Sequence, residues 1–85
     1  MDYQQKTKEL QKAYALLDEI CLICLKETEE ETRKAIKEEI KKRFERASDD
    51  VERSIVLTVQ QYLKNMTYEV IKQIALSAKE KTKKN

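Results

Sequence analysis

DDVERSIVLTVQQYLKNMTYEVIKQIALSA, residues 49–78, is the stretch on which the fold turns. Val51, Ile55, Val59, Tyr62, Met66, Val70, Ile74 and Ala78 recur along it in steps of three and four, the spacing of one helical face. Leu63 and Ile71 widen that face. No glycine or proline interrupts it. The residue able to start a new helix inside the run is Thr67, but the apolar phase carries straight through it. The spacing therefore predicts one continuous helix over 49–78, about 45 Å long at ~1.5 Å per residue. A basic tail, 79–85, follows and is expected to fray.

Upstream, Ser48-Asp49-Asp50 is rich in residues that cap helices, because their side chains compete for backbone N–H groups. Asp49 with Glu52 fits a capping box and marks a helix start; the alternative is a continuous helix, since the stripe Phe44, Ala47, Val51, Ile55 passes through without a phase jump. A second helix is expected over 29–47. Thr28 and Glu31 form its capping box, and Glu29 and Glu30 suit the positive end of its dipole. Glu29–Arg33, Glu30–Lys34, Glu38–Lys42 and Glu39–Arg43 stand at i, i+4, each contributing about 0.3 kcal/mol. The apolar stripe of this helix is thin: Ala35, Ile36, Ile40, Phe44 and Ala47.

The first helix is expected over 2–27, with Asp2 as its N-cap. Leu10, Tyr14, Leu17, Cys21 and Cys24 form one row on it. Ala13, Leu16, Ile20 and Ile23 form a second row beside them, and Leu22 and Leu25 broaden it further. A helix apolar over so much of its circumference is covered by several neighbours or by a partner chain.

The whole chain has 85 residues without a single glycine or proline, so hairpins and left-handed turns have no residue suited to them. The reading is a single all-α domain over 1–85: a small bundle of three to four helices with a long central helix. A 45 Å apolar face is wider than the other two helices can cover, which predicts a homodimer or larger oligomer. The core and dimer face would comprise Leu17, Ile20, Cys21, Cys24, Val59, Leu63, Met66 and Val70.

The residue types restrict the chemistry. Histidine is absent, and the two cysteines, Cys21 and Cys24, form a CxxC inside a helix. A zinc site needs four ligands, which two chains would have to pool across a dimer axis. A redox pair belongs at a helix N-terminus. The simpler reading is two small core residues. Asp18 and Glu19 are the carboxylates nearest apolar neighbours, and they read as the polar edge of the first helix. No phosphate-binding loop or nucleophile motif is present. These features predict a non-enzyme with no cofactor and no small-molecule substrate. The apolar run from Ile20 to Leu25 is too short to span a bilayer, so no membrane is expected, and a cytoplasmic protein with reduced thiols is. Tyr3, Tyr14, Tyr62 and Tyr68 are scattered and read as core-edge residues.

Charged residues make up 40% of the chain, yet the net charge is +2, so composition alone selects no polyanion. Cations do cluster locally, at Lys41-Lys42-Arg43 with Arg46, and at Lys79, Lys81, Lys83 and Lys84. Either these complement helix C-termini, or they converge on a phosphate backbone.

Glu45-Arg46-Ala47-Ser48-Asp49-Asp50, the apolar series from Val51 to Ile74, Glu69-Val70-Ile71-Lys72 and Lys81-Thr82 together resemble part of the archaeal-type histone fold. The resemblance spans about residues 32–82, and the family's third helix has no counterpart. It implies a central helix flanked by two DNA-contacting loops, with Arg46 entering the minor groove and Lys81 and Thr82 on the backbone. Arg43 and Lys83 extend the same basic surface. Two functional expectations follow. The first is a non-catalytic helical interaction module that self-associates and binds a macromolecular partner. The alternative is a histone-like, sequence-independent DNA binder.

Overall fold

The structure, a computed structural model, describes residues 2–83 and the side chains of 6–82. Asp2 as a capping side chain, the Tyr3 and Lys83 side chains, and Lys84 lie outside the described residues. The described residues form four helices and no strand: α1 (Asp2–Cys24), α2 (Glu29–Arg46), α3 (Asp50–Lys64) and α4 (Tyr68–Lys83). The all-α expectation is met.

Both expected N-caps form, each with its Glu engaged nearby, although neither Glu reaches the N-cap residue's own amide. The Thr28 hydroxyl accepts from the Glu31 amide at 3.2 Å and donates to the Glu31 carboxylate at 3.0 Å. Asp49 accepts from the Glu52 amide at 2.9 Å, and the Glu52 carboxylate accepts from the Ser48 amide at 3.0 Å. Of the four expected ion pairs on α2, Glu29–Arg33 closes at 2.9 Å and Glu39–Arg43 at 2.8 Å. No described residue has a positive φ, so every turn is built from right-handed and extended backbone.

The long helix over 49–78 is not continuous. It ends at Lys64, with Asn65 as its C-cap at φ −94°, ψ 0°. Thr67 starts α4 instead: its hydroxyl accepts from the Val70 amide at 3.3 Å. The guanidinium of Arg33, from α2, donates to the Met66 carbonyl at 2.9 Å and satisfies a group the break frees. Three intervening residues are close to one turn of about 3.6, so the apolar rhythm crosses the break undisturbed. α4 also runs on past 78 to Lys83, so the fray expected from 79 is not seen among the described residues.

The central helix is therefore α1, the longest at 23 residues. All three other helices pack against it, whereas α3 and α4, although consecutive, scarcely touch. α1 ends at Cys24, three residues early, because the Lys26 amide leaves the helix to donate to the Thr32 hydroxyl at 2.8 Å. Thr32 is fully buried and donates its own proton back to the Lys26 carbonyl at 3.4 Å. The Tyr68 hydroxyl, at the start of α4, donates to that carbonyl at 2.7 Å.

Leu17, Ile20, Cys21, Cys24, Val59 and Leu63 sit in one core with Ala13, Ile36, Ile40, Ile55, Val56, Ile71 and Ala75. Met66 packs on its edge, while Val70 is 43% exposed. Thus most of the expected dimer face is covered by the chain's own fold. With α3 and α4 folded apart, a partner is not needed to cover a 45 Å helix. The radius of gyration, 13.2 Å, lies near the ~12 Å of a compact chain this long.

Replacing Thr32 by Val should cost about 1–3 kcal/mol, since the part-buried bond from the Lys26 amide loses its acceptor. Tyr68→Phe should cost less, about 0.5–1.5 kcal/mol, because the Lys26 carbonyl keeps its bond from Thr32. Urea denaturation followed by circular dichroism measures both. A Thr32→Val cost below that of Tyr68→Phe would contradict this account of the joint.

Candidate functional site

A cleft of about 580 Å³ lies at the elbow where α2 gives way to α3 beside α1. Leu16, Ala47, Val51, Ile55 and Val56 supply its apolar lining, and Lys12, Arg43 and Arg46 supply cations. Asp49 and Glu52 also line it, but both are engaged in capping. The Ser48 hydroxyl, and then its amide, hold the Glu52 carboxyl below its ordinary pKa. Lys12 was not singled out in the sequence, although Lys12, Leu16 and Glu19 share one face of α1 by their steps of four and three.

Of the five residues expected on a DNA surface, Arg43 and Arg46 share the elbow cleft, while Lys81 and Thr82 lie on α4. Arg43 donates to Glu39 at 2.8 Å and to Glu19 of α1 at 3.1 Å. These bonds, that to Glu19 first, push its pKa further up. Lys81 pairs instead with Asp18 of α1 at 3.3 Å. Asp18 and Glu19 are adjacent on one helix and do not face the same way, so Lys81 and Arg43 lie on different sides of α1. The Thr82 hydroxyl bonds back to its own helix, donating to the Ala78 carbonyl at 3.0 Å. The Lys83 side chain lies outside the described residues. Arg46 has no ion-pair partner among the described residues and stays in the elbow cleft with Lys12.

Cys21 and Cys24 are free thiols in the core, 0% and 3% exposed. Burial, reinforced by Asp18, pushes the Cys21 thiol up to about 12. Burial, reinforced by Glu39, pushes Cys24 up to about 11. Both are thus protonated near neutral pH and poor nucleophiles. Among the described residues, no group of three or more cysteines and carboxylates is placed to hold a metal ion. No described helix is long and apolar enough to cross a membrane.

A second feature runs along the seam of α1 and α3. Tyr14 stacks on Tyr62, with ring centroids 6.2 Å apart and planes 21° apart. Leu10, one turn from Tyr14, lines the adjoining groove with Ala13, Ile55 and Thr58. Leu10 and Tyr14 are 44% and 50% exposed, so an apolar ridge continues from core to surface.

Two measurements follow for the thiols. The double variant Cys21→Ser, Cys24→Ser should lose about 1–3 kcal/mol per site, because buried hydroxyls lack the partners they need. The wild type should also lose stability relative to that variant as pH rises above 9, the ordinary thiol value. There the unfolded thiols release protons that the folded ones keep, and the loss levels off once the folded thiols ionise. Equal pH dependence in the two proteins would remove the buried-thiol assignment.

The chain matches no protein-family model, no curated protein sequence and no solved structure.

Proposed function

We propose that this chain is a non-catalytic helical interaction module, one that self-associates and binds a macromolecular partner through its helix faces. The supporting observation is the Leu10–Tyr14–Tyr62 ridge. Isolated exposed apolar residues are ordinary on any protein. Here two of them sit one turn apart and continue into a stacked tyrosine pair above the core. Tyrosine suits contact surfaces, since it offers a large rigid face and a polar tip. The protonated, buried thiols and the ion-paired carboxylates support a non-catalytic role. Self-association in this reading does not use the residues that the fold buries. It uses the α1–α3 seam, where a second copy would cover the ridge.

The second reading, sequence-independent duplex binding of the histone-like kind, is favoured by one observation: Arg46 and Lys12 stand in one cleft without ion-pair partners among the described residues. The Lys81–Asp18 and Arg43–Glu19 pairs weigh against it, since both would have to open for those cations to reach phosphate.

Sedimentation at micromolar concentration should give a dimer or larger for the wild type, and a monomer for Leu10→Glu with Tyr14→Glu. A wild type that stays monomeric on concentration would remove self-association from the reading. A gel shift with random-sequence duplex separates the two readings. Duplex binding that falls steeply between low and moderate salt, and that weakens when Arg46 and Lys12 become alanine, would establish the second.

A further inference from the structure

The antiparallel pair α2 and α3 encloses another groove, about 330 Å³, away from the elbow. Its floor is apolar: Ile36, Ile40 and Leu63, all nearly buried. Its walls carry cations from both helices, Arg33 and Lys37 on α2 and Lys64 on α3, and no carboxylate lines it. Such a one-sided rim is unusual in a chain whose two signs almost balance. Arg33 is held in place by Glu29 and the Met66 carbonyl, so its position is fixed by the fold. Lys37 and Lys64 have no ion-pair partner among the described residues, although five ion pairs form elsewhere on the described surface.

We infer that this groove docks an acidic, amphipathic peptide segment of a partner protein. An apolar side chain of that segment enters between α2 and α3, and its flanking carboxylates meet Lys37 and Lys64 from opposite sides. Two antiparallel helices with a shallow channel between them present the geometry into which a third helix lays its apolar face. The cations on both walls select against a basic partner and orient an acidic one. An apolar floor favours peptide over a phosphate backbone, which offers no apolar group to fill it. The inference rests on the interaction-module reading and names the chemistry of its partner.

The test uses the full chain and a fluorescent amphipathic peptide with leucine on one helical face and glutamate on the other. The control peptide has lysine in place of glutamate. The acidic peptide should bind saturably, and the lysine peptide should not. Lys37→Glu with Lys64→Glu should weaken binding about tenfold or more. Lys12→Glu with Arg46→Glu, at the elbow cleft, should leave it unchanged. Both lysines are solvent-side groups on helices, and circular dichroism establishes that each variant is folded. Lys37→Gln with Lys64→Gln gives a milder version, with a smaller loss of affinity, should charge reversal disturb the fold. Absence of saturable binding would overturn the inference, and so would binding indifferent to both lysine substitutions. Competition at the same lysines by random duplex or by phosphatidylglycerol vesicles, stronger than by acidic peptide, would overturn it in favour of a nucleic acid or a membrane surface. If the peptide fails while the protein still self-associates through the α1–α3 seam, the groove assignment falls and the module reading stands. If both fail, the module reading falls with it.

Discussion

Everything at one end of this molecule hangs on the peptide group of Lys26. Its N–H is fixed by the Thr32 hydroxyl, and its carbonyl takes protons from Thr32 and Tyr68. The chain has no glycine to turn with and no proline to stop a helix. A reversal therefore has to be made by removing a backbone group from the helical ladder and giving it a different partner. Thr32 does this between α1 and α2 from a wholly buried position. Tyr68 ties the same carbonyl to α4 across 42 residues of sequence. Arg33 does the corresponding work between α3 and α4, where it donates to the Met66 carbonyl. The two turns are thus coupled through adjacent residues of α2, and helix packing follows from how those turns are held.

The parts of this arrangement that the sequence displayed are the local ones. Thr28 with Glu31, and Asp49 with Glu52, act over three residues, so residue type and spacing suffice to find them. The apolar rows of α1 were legible in part: Ala13, Leu17, Ile20, Cys21 and Cys24 are buried, but Leu10, Tyr14 and Ile23 of the same rows are exposed. The break at Asn65–Thr67 was hidden because its length nearly matches one helical turn and leaves the rhythm intact. The partner that satisfies it lies 33 residues away and carries no local signature. The error had consequences: an unbroken 45 Å face demands a second chain, and a broken one folds back onto α1.

Charge shows the same division. The i, i+4 pairs of Arg33 and Arg43 were legible, but Glu19 and Asp18 reach Arg43 and Lys81 across 24 and 63 residues. Arg43 and Lys81, from the two basic clusters of the sequence, are parted by the fold, each meeting a carboxylate on a different side of α1. Conversely, Lys37 and Lys64 are unremarkable in sequence and become neighbours of one groove only because α2 and α3 run antiparallel. Surface function in a chain with interleaved charge is decided by which cations the tertiary pairing leaves over, and no composition statistic contains that.

The position of α1 at the hub has a consequence for how the molecule is made. α1 is synthesised before every helix that covers it, and α4, which packs chiefly on α1, comes last. Until α4 emerges, one flank of α1 has no cover, however well α2 and α3 have already capped themselves. Folding driven by such late, distant contacts waits on the end of the helical series rather than proceeding helix by helix.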